Sequence, residues 1–182
     1  GKIYEVDAFG HLMVMPYFGL TFGAGPRSSL IGMYPGIDVT PSGWTQRVGE
    51  ADLLILFRNG DLVPAEVKRS FGGVTDTEVD RLEKLARLIS APWSCVAVSR
   101  YALEGAGDYP ERAHRHVDEV PFRLALTWDH LLELHPLWTM GSDPFAWAPL
   151  NETDRAKREA EFVNWIISWS ERTSATWLEE GM

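Results

Sequence analysis

One cysteine stands among the 182 residues. A disulfide framework and a cysteine-rich zinc site are therefore excluded. Cys95 lies in the apolar run Cys95-Val96-Ala97-Val98, where it reads as a small buried hydrophobe, and no His stands in its segment to activate it. This cysteine usage is that of a reducing, cytoplasmic compartment. No apolar run approaches the length of a membrane span, and nothing reads as a signal peptide, so no membrane partner is expected. Internal repeats and low-complexity tracts are absent too. A positive balance is also lacking: 17 basic residues face 26 acidic ones, for a net charge of −9. That argues against a protein that simply coats nucleic acid. The first residue is Gly1 rather than Met, as expected of a processed or excised part of a longer protein.

The 45% hydrophobic fraction supplies a core for one domain. Residues 1–43 are rich in Gly, Pro and aromatics, as in Phe18-Gly19, Phe22-Gly23, Gly25-Pro26 and Tyr34-Pro35-Gly36. They predict short strands and turns rather than a long helix. Ile37-Asp38-Val39 is a candidate strand, stopped by Pro41-Ser42-Gly43. Ala51 to Phe57 is nearly continuous and apolar, as in a strand covered on both faces. Asn59-Gly60 signals a hairpin turn, and Leu62 to Val67 returns. Thr75-x-x-Glu78 is a capping box opening a helix to Ile89. Its apolar stripe is Val79, Leu82, Leu85, Ala86 and Ile89. Trp93 to Ser99 reads as another buried strand. A polar insert over 101–120 follows, then a strand from Phe122 to Leu126 and a short helix capped by Thr127. A Trp- and Pro-dense loop runs from Pro136 to Pro149. Asn151 caps a last helix bearing Trp165 and Trp169. This order predicts an α/β fold, a mixed central sheet flanked by helices, over residues 1–135. Residues 136–182 are expected to form a Trp-rich α-helical extension packed on the same domain.

Three residue types meet across the predicted hairpin. Asp52 opens its first strand, and Glu66 and Lys68 end its second. A pivot at Asn59-Gly60 sets Asp52 opposite Val67, between Glu66 and Lys68, which share one face by strand alternation. Two carboxylates and one ammonium thus gather at one end of the hairpin. Phosphodiester hydrolysis needs such a group. A divalent cation polarises the phosphate and activates water, and Mg²⁺ prefers hard oxygen ligands. A nearby Lys stabilises the charge that builds in the transition state. The backbone carbonyl of Val67 is a further oxygen ligand.

The stretch Gly49-Glu50-Ala51-Asp52-Leu53-Leu54-Ile55, followed by Val63-Pro64-Ala65-Glu66-Val67-Lys68, resembles the core of the PD-(D/E)XK, or restriction-endonuclease-like, nucleases. The resemblance covers about residues 49–98. It implies a restriction-endonuclease-like core and a Mg²⁺- or Mn²⁺-dependent nuclease acting on DNA in preference to RNA. It assigns metal ligation to Asp52 and Glu66, and the water- and phosphate-contacting role to Lys68. It also implies a helix behind the site, which Thr75 to Ile89 supplies. The family usually carries a further acid on a helix before the first core strand, and no such helix is legible here. Asp38, Glu50 and Glu78 are the auxiliary candidates. Arg69, Arg47 and Lys84 are candidate phosphate contacts.

Plainer readings stand beside these. Asp52, Glu66 and Lys68 could make a solvated hairpin with a cross-strand salt bridge, although charges at the end of so apolar a strand call for a reason. Glu78 is first a capping residue. Arg81, Lys84 and Arg87 make a solvated helix face. His114 and His116 read as an exposed loop pair, and His130 and His135 as structural. Trp165 and Trp169, four apart, are expected to be buried in a core or an interface. Three functional readings follow. The first is a nuclease working as a homo-oligomer or within a larger protein. The second is an inactive nuclease-like binding or scaffolding module. The third is a nuclease toxin or defence effector held inactive until triggered.

Overall fold

The computed structural model describes residues 7–23, 29–40, 42–99 and 122–133, together with Lys157, Ala160, Asn164 and Ser168. Five strands form one mixed sheet in the order β1-β2-β3-β4-β5: β1 (Leu30–Val39), β2 (Gly49–Phe57), β3 (Leu62–Lys68), β4 (Trp93–Val98) and β5 (Phe122–Leu126). The first three pair antiparallel, and β4 pairs parallel with both β3 and β5. The parallel step from β3 to β4 requires a crossover. A 3₁₀ turn, Phe71–Gly73, and helix α2, Asp76–Leu88, provide it. Helices α1, Asp7–Gly23, and α3, Trp128–Glu133, flank the sheet as well.

Strands β2 to β4 are covered on both faces, while half of the β1 residues are exposed. Leu53, Ile55, Phe57, Val63, Ala65 and Val67 pack with Met13, Val14, Tyr17, Phe18 and Phe22 of α1 and Leu131 of α3. On the other face Val79 and Leu82 of α2 meet Val96, Val98 and Ala125, while Leu85 meets Ala51 and Leu54. Every residue of β4 is buried, as its apolar run predicts. Cys95 is among them, and burial pushes its thiol far above the usual range, so it stays a protonated, inert hydrophobe.

Three expectations need correction. The first segment holds a 17-residue helix, α1, where composition predicts strands and turns. Its buried residues recur at helical spacing, and their burial overrides the poor local propensity. Pro16 lies within the helix on its exposed side, so the hydrogen bond it removes is lost where water can replace it. Tyr34-Pro35-Gly36, expected as a turn, lies inside the ten-residue β1. That strand is at the sheet edge, where a missing N–H is tolerated.

The third correction concerns the hairpin pivot. The loop has three residues, Arg58 to Gly60, closed by the Gly60 N–H donating to the Phe57 carbonyl at 3.0 Å. Only Gly60 takes positive φ there (86°), the pattern of a type I turn followed by a left-handed residue. Asn59 instead accepts the Asp61 N–H at 3.1 Å. The register Leu53–Ala65 to Leu56–Leu62 is therefore one residue off that pivot, and its last pair, Leu53–Ala65, aligns the strands towards Asp52 and Glu66 rather than Asp52 and Val67.

The α2 capping residue is Thr75, whose hydroxyl accepts the Glu78 N–H at 3.3 Å. The insert at 101–120, His114, His116, His135, the loop from Pro136 to Pro149, Trp165 and Trp169 lie outside the described residues. Lys157, Ala160, Asn164 and Ser168 are helical and exposed.

Candidate active site

The carboxyl ends of the parallel strands β3 and β4 lie side by side, with Lys68 paired to Val98. The Ser99 N–H donates to the Lys68 carbonyl at 3.0 Å and extends that pairing. Because β2 runs antiparallel to β3, its first residues lie at the same end. This is the end at which open α/β sheets hold their ligands.

Asp52 sits where the β2–β3 ladder stops. Its Oδ2 accepts the Val67 N–H at 2.8 Å, so the carboxylate satisfies a backbone donor as the strands part. Glu66 points to the α2 side and is 9% exposed. Lys68, two residues on, shares that face. Its aliphatic stem runs along Gly73, where an added Cβ would stand 3.5 Å from the Lys68 Cβ. The Lys68 ammonium then meets Glu66 directly, and lies 3.8 Å from Asp52 Oδ2 and 3.8 Å from Glu78 Oε2. Glu78 comes from the first turn of α2, brought over the end of β3 by the short crossover. Its carboxylate also binds Arg81 at 3.1 Å.

Three carboxylates thus share one ammonium. Burial pushes the Glu66 carboxyl up to about 7; the hydrogen bond from Lys68 opposes this, and the charges of Asp52 and Glu78 add to it. For Lys68, burial favours the neutral amine. The hydrogen bond and charge of Glu66, helped by Asp52 and Glu78, outweigh it and hold the ammonium above its usual range.

The other candidates lie apart from this group. Asp38 and Glu50 face each other across β1 and β2, and Arg47 bridges them at 2.9 Å and 3.2 Å. Glu50 is exposed near the start of β2. Arg69 is exposed just beyond Lys68, and Lys84 is exposed on α2. Helix α1 does precede the core strands, opening at Asp7. Its backbone comes close to the site end of β3: a Cβ on Gly10 would stand 2.6 Å from Val67 Cγ1. His130 is structural, its Nδ1 accepting the Thr127 N–H at 3.1 Å.

Sequence reasoning did not foresee that Asp52 would cap a backbone N–H, because that depends on where the ladder ends. Nor did it single out Trp44, which is 64% exposed; the Pro41-Ser42-Gly43 stop just before it was the available signal.

Among the described residues, no group of three or more His, Cys, Asp and Glu side chains could hold a metal ion. Asp52 and Glu66 nonetheless make an oxygen donor pair on one cation, and Mg²⁺ is commonly held by one or two carboxylates with water and phosphate. Two carboxylates are the donor type that a hard divalent ion takes. Among the described residues, no helix is long and apolar enough to cross a membrane. In comparison with known proteins, no family model, no curated protein and no solved structure matches the chain.

Proposed function

We propose that this chain is a metal-dependent nuclease of PD-(D/E)XK type that hydrolyses phosphodiester bonds in DNA. The observation that carries the reading is the meeting of Asp52, Glu66 and Glu78 on the Lys68 ammonium, half-buried at the carboxyl ends of parallel strands. Asp52 and Glu66 would hold Mg²⁺ or Mn²⁺, with the Val67 carbonyl as a further oxygen. Such an ion supplies Lewis-acid polarisation of the phosphate and a more acidic water.

The chain's own groups do the rest. Asp52 is oriented by the Val67 N–H and cannot swing away without orphaning that donor. Glu66 is costly to ionise where it lies, so a cation beside it relieves the surplus of acid. Lys68 carries a persistent positive charge on a stem held against Gly73. It is placed to contact a phosphate oxygen and to orient the attacking water. Glu78, anchored by Arg81, keeps the ammonium on the α2 side of the site. Residues 1–135 would form the nuclease domain, and 136–182 an extension packed on it. A homo-oligomer or a larger protein would supply the basic surface that the net charge of −9 lacks.

One observation favours a second reading. Lys68 already neutralises much of the acid around it, so the cluster is partly self-satisfied without a metal. An inactive nuclease-like binding or scaffolding module would keep such a cluster for stability alone. Incubation with single- and double-stranded DNA and RNA, in Mg²⁺, Mn²⁺ or EDTA, decides between them. Cleavage that needs the divalent ion and is lost in Lys68→Ala supports the nuclease. Absence of cleavage under every condition, with no Mg²⁺ binding, supports the scaffold.

A further inference from the structure

The loop between β1 and β2 carries an aromatic that the Lys68 cluster does not use. Trp44 is 64% exposed, on a loop whose root is pinned. The Val48 N–H donates to the Val39 carbonyl at 2.9 Å, and Arg47 ties Asp38 to Glu50 just below. Gly43, with φ at +84°, turns the chain immediately before Trp44. Gly43, Trp44, Thr45 and Gln46 line an open hollow of about 290 Å³. It is too open to enclose a small molecule, but it offers a flat face beside polar side chains.

Position and charge say what that face suits. Gly49, where the loop rejoins β2, is three strand residues from Asp52, about 10 Å at the usual strand rise. The loop therefore projects from the same end of the sheet as the candidate site. Its one cation, Arg47, is committed to two carboxylates, so it attracts a phosphate backbone poorly. A π face needs no charge, and stacking tolerates every base.

We propose that Trp44 is a stacking platform for an unpaired base, and that the strand held at the Lys68 end of the sheet is single-stranded there. The inference rests on the nuclease reading of that site and assigns its substrate class. A duplex hides base faces within its own stack, so a tryptophan on a loop tip gains a partner only where a base is unpaired.

The test measures binding of a labelled oligothymidylate, the same strand with abasic sugars, and a blunt duplex of equal length. The full chain carries Lys68→Ala to suppress cleavage, and Mg²⁺ is present. Adding Trp44→Ala should weaken oligothymidylate binding by about tenfold or more, leave the abasic strand and the duplex unchanged, and leave the melting temperature unchanged. Trp44→Phe should restore most of the loss. The inference is overturned if Trp44→Ala binds oligothymidylate as its parent does, or weakens all three ligands alike. It is also overturned if the parent binds no oligothymidylate, or if the substitution turns a dimer into a monomer in sedimentation, which would make the loop a protein contact. The two readings fail separately. A Trp44 effect in a chain that never cleaves sinks only the nuclease. Cleavage lost in Lys68→Ala with no Trp44 effect sinks only the stacking platform.

Discussion

Two ion clusters of one design lie at the same end of the sheet, each a cation among carboxylates. At the root of the β1–β2 loop, Arg47 joins Asp38 and Glu50, and the three side chains are 59%, 58% and 44% exposed. At the end of β3, Lys68 joins Glu66, Asp52 and Glu78, with the side chains of Lys68 and Glu66 26% and 11% exposed. The charges are alike and the surroundings are not. Water screens the first cluster, which contributes little to stability. In the second, the same charges interact through a poorer dielectric, and a carboxyl is pushed up to about 7. Counting acids in a sequence does not find a site; the acids that matter are those that folding removes from water beside one another.

The contrast can be broken at its strongest point first. Asp52→Ala removes both a proposed metal ligand and the acceptor of a backbone N–H. Cleavage and metal binding should be lost together, and stability should fall by about 1–3 kcal/mol from the orphaned donor. Asp52→Asn keeps an oxygen for the Val67 N–H, so it should lose the metal while holding most of the stability. Calorimetric titration with Mg²⁺ and thermal melts of both variants check this. Equal melting temperatures for the two would contradict the capping role.

Lys68→Ala should act on rate rather than on metal binding. Cleavage should fall by a factor on the order of 10²–10³, while Mg²⁺ affinity rises slightly as a neighbouring positive charge is removed. Wild-type cleavage under saturating metal would remove Lys68 from the catalytic account.

Glu66→Gln sharpens the comparison through pH. Folding raises the Glu66 carboxyl from its ordinary 4.5 to about 7, so the folded chain keeps a proton that the unfolded chain has released. The stability this contributes is present below about pH 4.5 and is lost as pH rises towards 7. Without divalent ions, Glu66→Gln should melt above wild type at pH values over about 7, and the gap should close towards pH 4.5. Added Mg²⁺ should stabilise wild type in the upper range and leave the variant unmoved. A gap that widens on acidification would refute the assignment.

The smallest effect is expected at the exposed cluster. Arg47→Ala should leave the melting temperature and the Mg²⁺ affinity unchanged. A clear loss of metal binding in that variant would mean that the two clusters act as one site.

Much of this organisation was legible in the residues. The apolar run Leu53 to Phe57, the helix from Thr75 to Ile89 and the buried strand from Trp93 all form where their periodicity places them, because each is long enough for burial to impose one period. Helix α1 was not legible. Its apolar residues surround the axis, and Pro16 with its glycines imitates a loop; only packing against the sheet makes the helix the better state. The turn is one residue longer than its sequence signal implies, since Asn59-Gly60 suits two turn types and the strands choose between them. Glu78 was legible as a cap and as an auxiliary candidate for the site, but its direct contact with Lys68 was not, because that depends on the crossover from β3 to α2.

The sequence by itself determined that a hairpin would bring Asp52, Glu66 and Lys68 to one end of the sheet. Strand alternation and a turn signal are local properties, and they suffice for that. Only the tertiary structure decided that Asp52 caps the Val67 N–H, that Glu78 joins Lys68, and that Asp38 and Glu50 pair with Arg47 instead. Those outcomes depend on ladder length, crossover geometry and exclusion of water, which arise from contacts between segments distant in the chain.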